Sequence, residues 1–195
     1  MTKKRLWQTL RLWTISSGCG RAEYLRKNKI FAHVGENCTV MDRRIPLYAN
    51  LIKLGNNVHL ASKVTFVTHD ITHKMINAIS DPADVKAVGK TQQDLMEQVG
   101  CIEIGNNVFV GTGTTILYDV RVGSNVIIGA GSLVTKDVPD NSVVAGVPAR
   151  VITTLDQYVA KRANAQTYDE AIRPRGQTVG PALEKWCWED FAKKR

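Results

Sequence analysis

The sequence predicts an all-β coil of short strands, and three features of its 195 residues carry that prediction. The first is a six-residue repeat, which reads IGNNVF, VGTGTT, ILYDVR, VGSNVI, IGAGSL and VTKDVP from Ile104 onward. The second is the same phase upstream, at Leu54, Leu60 and Phe66, and more weakly from Val34. The third is a composition of 44% apolar and 23% charged residues, which suits a compact folded chain.

Each six-residue unit has an aliphatic residue first, usually a glycine second, and a small or β-branched residue fifth. This spacing fits neither the 3.6-residue period of a helix nor a simple two-residue alternation. It predicts short strands joined by regular corners, with three strands making one 18-residue triangular turn. The inward-pointing positions are then Ile104, Val110, Ile116, Val122, Ile128 and Val134, with Val108, Thr114, Val120, Val126, Ser132 and Val138 four residues after a first position.

Net charge and cysteine spacing limit the classes of partner and the cell compartment that we expect. The net charge of +8 makes phosphate-bearing cofactors, polyanions and anionic membranes plausible partners without choosing among them. No apolar run approaches the ~20 residues of a membrane span, and the first 30 residues lack a secretory signal, so we expect a cytoplasmic protein. The cysteines are widely scattered, and we expect all of them to be reduced thiols: Cys19, Cys38, Cys101 and Cys187.

The segment before the repeats predicts a basic helical cap. Leu6, Leu10 and Trp13 fall on one helical face among basic residues, a pattern suited to covering the open end of the coil. The same pattern also permits a weak peripheral contact with an anionic membrane through the basic N-terminus.

Two other segments interrupt or follow the repeats. Residues 70–100 are polar and leave the repeat, which predicts a loop excursion from the coil. Near the C-terminus, an apolar helical face is predicted from Leu183, Trp186, Cys187 and Phe191. The predicted organisation is a cap over 1–30, a catalytic coil over 31–153 and a helical extension over 154–195.

The four histidines are the candidate general bases, because imidazole titrates near neutral pH. His33 precedes the first unit and His59 fills a surface position, so both are interpreted as structural or solvent-facing. His69, in FVTHD, stands where the coil is left for the excursion. His73 and Asp70 lie beside it as candidates for binding an acceptor, although Asp70 is equally suited to capping the chain locally.

These repeats, FVTHD and the closing stretch GAGSLVTKDVP…VVAGVPARVI resemble the hexapeptide-repeat acyltransferases over about residues 30–153. The similarity is greatest to the galactoside, maltose and capsule-type O-acetyltransferases. It implies a left-handed parallel β-helix, a homotrimer with active sites between subunits, acetyl-CoA as co-substrate and no metal. It further implies that His69 is the catalytic base and that the excursion over 70–100 is an acceptor-binding lid.

The resemblance also transfers a set of donor-binding positions onto this sequence. Coenzyme A carries several phosphates and a long pantetheine arm, which call for cations and an extended row of polar backbone. Several relatives have tryptophan where this chain has Phe109, and a second basic residue where it has Thr153. The expected CoA-binding residues are Phe109, Thr112, Ala130, Thr135, Lys136 and Arg150.

The expected activity is direct transfer of an acetyl group from acetyl-CoA to a hydroxyl of a sugar or glycan precursor, as in polysaccharide biosynthesis. An amino-sugar N-acceptor or a xenobiotic acceptor is an alternative. A zinc site like that of the γ-class carbonic anhydrases is a further one, although the histidine spacing does not reproduce it. A purely structural scaffold predicts no CoA binding. Dispersed basic residues and the absence of a base-reading module argue against nucleic acid.

Overall fold

The computed structural model describes residues 2–89, 94–165, 167–176 and 178–195. Residue 1 of the predicted cap, residues 90–93 of the predicted excursion, and residues 166 and 177 of the predicted extension lie outside them. The chain divides into two compact units, Met1–Tyr158 and Val159–Arg195. The domain boundaries expected at 30/31 and 153/154 stay a prediction.

Short strands form the coil of the first unit. In the described residues they are β1 His33–Val34, β2 Thr39–Val40, β3 Ile52–Leu54, β4 Val58–Leu60, β5 Thr65–Val67, β6 His69–Asp70, β7 Gln98–Val99, β8 Ile102–Ile104, β9 Val108–Val110, β10 Thr115–Leu117, β11 Val120–Val122, β12 Val126–Ile128, β13 Leu133–Val134, β14 Ser142–Ala145 and β15 Arg150–Thr154. The α-helices are α1 Lys3–Thr14, α2 Gly18–Lys27, α3 Thr72–Asn77, α4 Pro82–Ala87, α5 Leu155–Ala163 and α6 Pro181–Lys193. The expected all-β class therefore describes the coil, while helices precede it, interrupt it and follow it along the chain.

Thirteen of these strands stack into three sheets, which are the three faces of the coil, and β6 and β7 form a separate pair. The first face has the order β1-β3-β8-β11, the second β15-β14-β12-β9-β4-β2 and the third β13-β10-β5. All coil pairings are parallel, and the antiparallel β15 closes the second face at its end. Equivalent residues in the regular turns lie 18 apart, as in the pairing of Val108 with Val126. This confirms the predicted 18-residue turn.

The core fills the interior of the coil. Both predicted columns are buried: Val110, Ile116 and Ile128 in the first position have no exposed surface, and neither does Thr114 in the fifth. The hydrophobic core continues without a break into α1 and α2 at one end. The six-residue period thus identified the inward-facing residues correctly, because equivalent positions on successive faces of the coil are six residues apart and point into its interior.

The Gly-Asn-Asn pattern forms one corner of the coil. A ladder of amide side chains runs along it, each Nδ2 donating to the Oδ1 of the next asparagine, as from Asn57 to Asn107 (3.0 Å) and from Asn107 to Asn125 (2.8 Å). These asparagines adopt positive φ near +56°, a conformation that asparagine tolerates better than most residues. A Cβ on the neighbouring Gly55 would lie 2.6 Å from the carbonyl oxygen of Gly105, so glycine is required at that corner.

The excursion leaves the coil and returns without disturbing its stacking. Asn57 and Asn107 are stacked neighbours although they are 50 residues apart, against 18 for Asn107 and Asn125. The difference of 32 residues is the length inserted between the turns. At its base, β6 pairs antiparallel with β7, so that His69 lies opposite Val99, and the amide of Gly100 donates to the carbonyl of Thr68 (3.0 Å). The described part of the predicted excursion contains α3 and α4.

The N-terminal helices differ from the expectation in which face they bury. Helix α2 packs against β1 and β2, where the buried guanidinium of Arg21 donates to the carbonyl of Val40 (2.7 Å). In α1, however, Leu12 is buried at 1% exposure, whereas Leu6, Leu10 and Trp13 are exposed. The expectation that these three side chains cover the coil was wrong. A helical period marks an apolar face but cannot tell which face turns inward when Leu12 competes for the core.

The second unit ends in α6. Leu183 is buried and Trp186 is half-buried with its ring edge-on to Tyr168 at 5.6 Å, while Cys187 and Phe191 are exposed. The apolar face predicted for this helix is therefore confirmed for its first two members only. Among the helices of the described residues, we find none with the length and apolar character that a membrane span requires.

Candidate active site

His69 stands at the base of the excursion. It follows β5 by two residues and belongs to β6, at one end of the third face. The ring of Tyr48 meets the imidazole edge-on, with 5.3 Å between ring centres. No hydrogen bond to the imidazole is present among the described residues, and its Nδ1 is buried. A ring nitrogen that is not already engaged is what a general base requires.

His59 provides the contrast. Its Nδ1 lies 2.9 Å from the hydroxyl of Thr39, and its Nε2 lies 2.9 Å from Oδ1 of Asn57 in the amide ladder. An imidazole with the proton on Nε2 satisfies both contacts. These contacts agree with the structural role inferred from the sequence, and they leave His59 no nitrogen for a proton acceptor or a zinc ligand.

The carboxylate of Asp70 is held by three hydrogen bonds. The Tyr118 hydroxyl donates to Oδ2 (2.6 Å), while the hydroxyl and amide of Thr72 donate to Oδ1 (2.7 and 3.0 Å). These hydrogen bonds lower the pKa of Asp70 to about 2, and the bond from Tyr118 has the largest effect, followed by those from Thr72. The same bond raises the pKa of Tyr118. These contacts join the coil to the start of α3, which fits local capping, and the acceptor-binding role of Asp70 stays a prediction.

Tyr118, like Tyr48, is a residue of this site that the sequence did not reveal. It occupies the third position of the unit ILYDVR, where the other units have small or polar residues, and this departure was the only available signal. Its partner Asp70 lies 48 residues away in the chain. Because a six-residue pattern carries no information about such a pair, the contact had to be seen in three dimensions.

We expect the substitution Tyr118→Phe to raise the pKa of Asp70 from about 2 toward the ordinary value of 3.8, because the hydrogen bond that most favours the ionised carboxylate is lost. A pKa depressed on folding stabilises the fold fully above the unfolded value, and that contribution is lost as pH falls toward about 2. The variant should therefore be less stable than the wild type above about pH 4, and the difference should disappear as pH falls from about 4 to 2. NMR titration of the Asp70 carboxyl carbon measures the shift.

The matched control is Tyr48→Phe, because the hydroxyl of Tyr48 donates to Oε1 of Glu97 (3.1 Å) rather than to Asp70. That variant should leave the Asp70 titration in place. An unaltered Asp70 pKa in Tyr118→Phe would contradict the assigned cause.

His73 joins the group from the first turn of α3. It is half-buried, and its Nδ1 is buried without a hydrogen-bond partner among the described residues. Its charge is among the causes that lower the pKa of Asp70, which places the two groups near each other. The structure thus gathers His69, Asp70 and His73 at the base of the excursion, together with Tyr48 and Tyr118.

The six expected CoA-binding residues are all exposed, and they fall into two groups. Phe109 lies on the second face, and the amide of Gly131 donates to the carbonyl of Thr112 (2.8 Å), which stacks the corners that hold Thr112 and Ala130. Thr135 and Lys136 follow β13 at the opposite end of the third face. Since that face is about four residues wide, roughly 13 Å separates the two groups. The structure therefore does not bring all six together on one edge of a single chain.

Lys136 and Arg150 line the same pocket, with a volume of about 280 Å³. It lies between the corner after β13 and the hairpin of β14 and β15. Neither cation forms an ion pair within the described residues, and Arg150 donates only to the carbonyl of Ala149 (2.9 Å). Asp137 also lines the pocket, with its Oδ1 accepting from the amide of Arg121 (2.8 Å). Two cations without anionic partners suit a phosphate group.

His69 and this pocket lie at the same end of the third face. Leu117 pairs with Val67, and the next turn places Thr135 beside Leu117. Thr135 is therefore two strand spacings from Val67, which at ~4.8 Å each is about 10 Å. An extended ligand running parallel to the coil axis could reach both the histidine region and the cations.

A six-residue repeat whose strands stack in parallel on three faces defines the class of this molecule, a hexapeptide-repeat β-helix. The model of the family described as bacterial transferase hexapeptide (six repeats) matches residues 101–136. Protein CapG of Staphylococcus aureus is 36% identical over 147 residues, which are 74% of this chain and 78% of CapG. The chain belongs to the bacterial hexapeptide-repeat transferase family.

Solved structures share this architecture. The hexapeptide-repeat-containing acetyltransferase VCA0836 of Vibrio cholerae is 18% identical, with a TM-score of 0.51 over 78% of this chain and 89% of that one, a likeness of fold. The same Vibrio protein complexed with acetyl coenzyme A is 19% identical and has a TM-score of 0.48, over 78% of this chain and 85% of that one.

Proposed function

We propose that the protein is an acetyl-CoA-dependent O-acetyltransferase that acts on a hydroxyl group of a sugar or glycan precursor. The observation that carries the proposal is the position of the unengaged imidazole of His69 at the same end of the third face as the cationic pocket of Lys136 and Arg150. Membership of a transferase family supports the same reaction class.

In the proposed mechanism His69 acts first as base and then as acid. Its neutral imidazole accepts the proton of the acceptor hydroxyl as that oxygen attacks the thioester carbonyl. Backbone amides at a coil corner stabilise the oxyanion of the tetrahedral intermediate. The carbon–sulfur bond then breaks, and the imidazolium returns its proton to the departing thiolate, which yields the O-acetyl product and free CoA. The transfer is direct and requires no covalent enzyme intermediate.

Donor binding is assigned to the six exposed residues of the late turns. Lys136 and Arg150 would neutralise phosphates of CoA, whereas Phe109, Thr112, Ala130 and Thr135 would contact the pantetheine arm and the nucleotide. The separation of about 13 Å between the two groups supports a site shared between copies of the chain, with each copy contributing one group. We accordingly propose a left-handed coil that assembles as a homotrimer with active sites at the subunit interfaces.

Acceptor recognition is assigned to the excursion, with Asp70 and His73 at its base. An amino-sugar nitrogen or a small xenobiotic is the alternative acceptor, since the same base would serve either. The ionised Asp70, anchored by Tyr118, offers an acceptor for a sugar hydroxyl beside His69.

The test is calorimetric titration of the purified protein with CoA and acetyl-CoA, followed by a thiol-release assay with a panel of sugars, amino sugars and chloramphenicol-like acceptors. We expect saturable binding of both ligands and acceptor-dependent thiol release with a sugar hydroxyl. Failure of the folded protein to bind CoA at millimolar concentration would contradict the transferase proposal. Release with amines alone would replace O-transfer by N-transfer.

A further inference from the structure

Helix α1 turns an apolar stripe to solvent. Leu6, Trp7, Leu10 and Trp13 recur at the spacing of one helical face, and we call them the α1 stripe. The side chains are 72% exposed at Trp7 and 58% at Trp13. A contiguous exposed apolar patch of this kind indicates a surface that has a partner.

The opposite face of α1 fixes the helix to the coil. Leu12 lies in the core, and the guanidinium of Arg5 donates twice to the carbonyl of Ile45, at 3.0 Å from Nε and 2.7 Å from Nη2. Thr2 caps the helix by accepting from the amide of Arg5 (3.3 Å). Because these contacts bury the other side of α1, the stripe is held outward rather than left over from a loosely placed helix.

Positive charge surrounds the stripe. The first acidic residue of the chain is Glu23, so residues 2–22 contain basic side chains and no carboxylate. Lys4 and Arg11 are seven residues apart and flank Trp7 on the same side of the helix. On the adjoining segment, the guanidinium carbon of Arg43 lies 5.5 Å from the centre of the Trp13 ring. The nearby Asp42 is paired with Arg44 (3.0 Å).

We propose that the α1 stripe docks this protein on the surface of an anionic lipid bilayer. The tryptophan and leucine side chains would lie among the acyl-chain ends and glycerol groups, while Lys3, Lys4, Arg11 and Arg43 would meet lipid phosphates. A second copy fits the stripe less well, because two stripes face to face would bring the basic residues of both copies together. Charge complementarity therefore selects the anionic membrane.

The experiment is vesicle flotation of the full chain at low salt, with phosphatidylcholine alone and with an equal mixture of phosphatidylcholine and phosphatidylglycerol. We expect binding to the mixed vesicles only. Lys3→Gln/Lys4→Gln should weaken it by about 25-fold, since each basic residue near an anionic surface contributes about fivefold. Trp7→Gln/Trp13→Gln should weaken it by about tenfold or more through lost apolar insertion.

The matched control is Trp188→Gln, which removes an exposed tryptophan (65%) from α6 and should bind as the wild type does. Equal thermal unfolding midpoints establish that the variants fold. The proposal is overturned by equal binding to neutral vesicles, by equal binding of the Trp7→Gln/Trp13→Gln variant, or by no binding. Self-association in the absence of lipid that this variant abolishes would assign the stripe to a second copy instead. None of these readouts depends on acetyl transfer.

Discussion

Replacing His69 by alanine is expected to lower turnover by about 10²–10⁴-fold while the affinity for CoA stays nearly unchanged. The substitution removes the proton acceptor for the attacking hydroxyl, yet it leaves the cationic pocket of Lys136 and Arg150 intact. Steady-state thiol release measures the loss of turnover, and calorimetric titration with CoA measures the retained affinity.

The control for this experiment is His33→Ala, because His33 is an exposed histidine in β1 and lies outside the proposed site. It should turn over as the wild type does. His59 would be a poor control, since both of its ring nitrogens take part in structural contacts. Wild-type turnover in His69→Ala would remove this residue from the mechanism.

The second large effect is expected at the cationic pocket. Arg150→Ala and Lys136→Ala should each weaken CoA binding by about tenfold or more at low salt, because a charge-assisted hydrogen bond to a phosphate is lost. The difference from wild type should shrink as salt is added, as screening weakens the contact in the wild type. Turnover at saturating acetyl-CoA should change far less than affinity does.

A comparison of CoA with dephospho-CoA tests which pocket residue contacts the 3′-phosphate. Dephospho-CoA lacks the 3′-phosphate, so it should bind the wild type less well than CoA, and the gap between the two ligands should close in whichever variant has lost the residue that contacts that phosphate. Lys53→Ala, an exposed lysine on the first face, is the charge-matched control. Unchanged CoA affinity in both pocket variants would make Lys136 and Arg150 ordinary surface charges.

The coil could be predicted from the sequence because its information is local and repeated. The identity of a residue six positions away is enough to assign Ile116 or Val126 to the interior, and the structure buries both. The place of His69 at the break in the repeat followed from the same pattern. These predictions needed no knowledge of long-range packing.

What could not be predicted depends on contacts that the repeat does not encode. The hydroxyl of Tyr118 donates to Asp70, which is 48 residues away in the chain. The orientation of α1 is set by the burial of Leu12 and by the hydrogen bonds of Arg5 to the coil. The helices of the excursion are each six residues long, too short for a helical period to show. The split of the six expected CoA-binding residues between two corners likewise follows from the triangular cross-section, which a linear motif does not display.

The in-register return of the coil makes the excursion separable from the scaffold. β6 and β7 pair across its base, so the two ends of the intervening segment lie side by side, about 5 Å apart. Any segment whose two ends lie side by side in this way can be inserted between β6 and β7, and the coil turns before and after it still stack. Under the proposed assignment of acceptor recognition to the excursion, acceptor preference can diversify by exchange of one continuous segment, while the proposed donor pocket in the later turns stays unaltered. Grafting the segment between relatives is the natural route to new specificities on this coil.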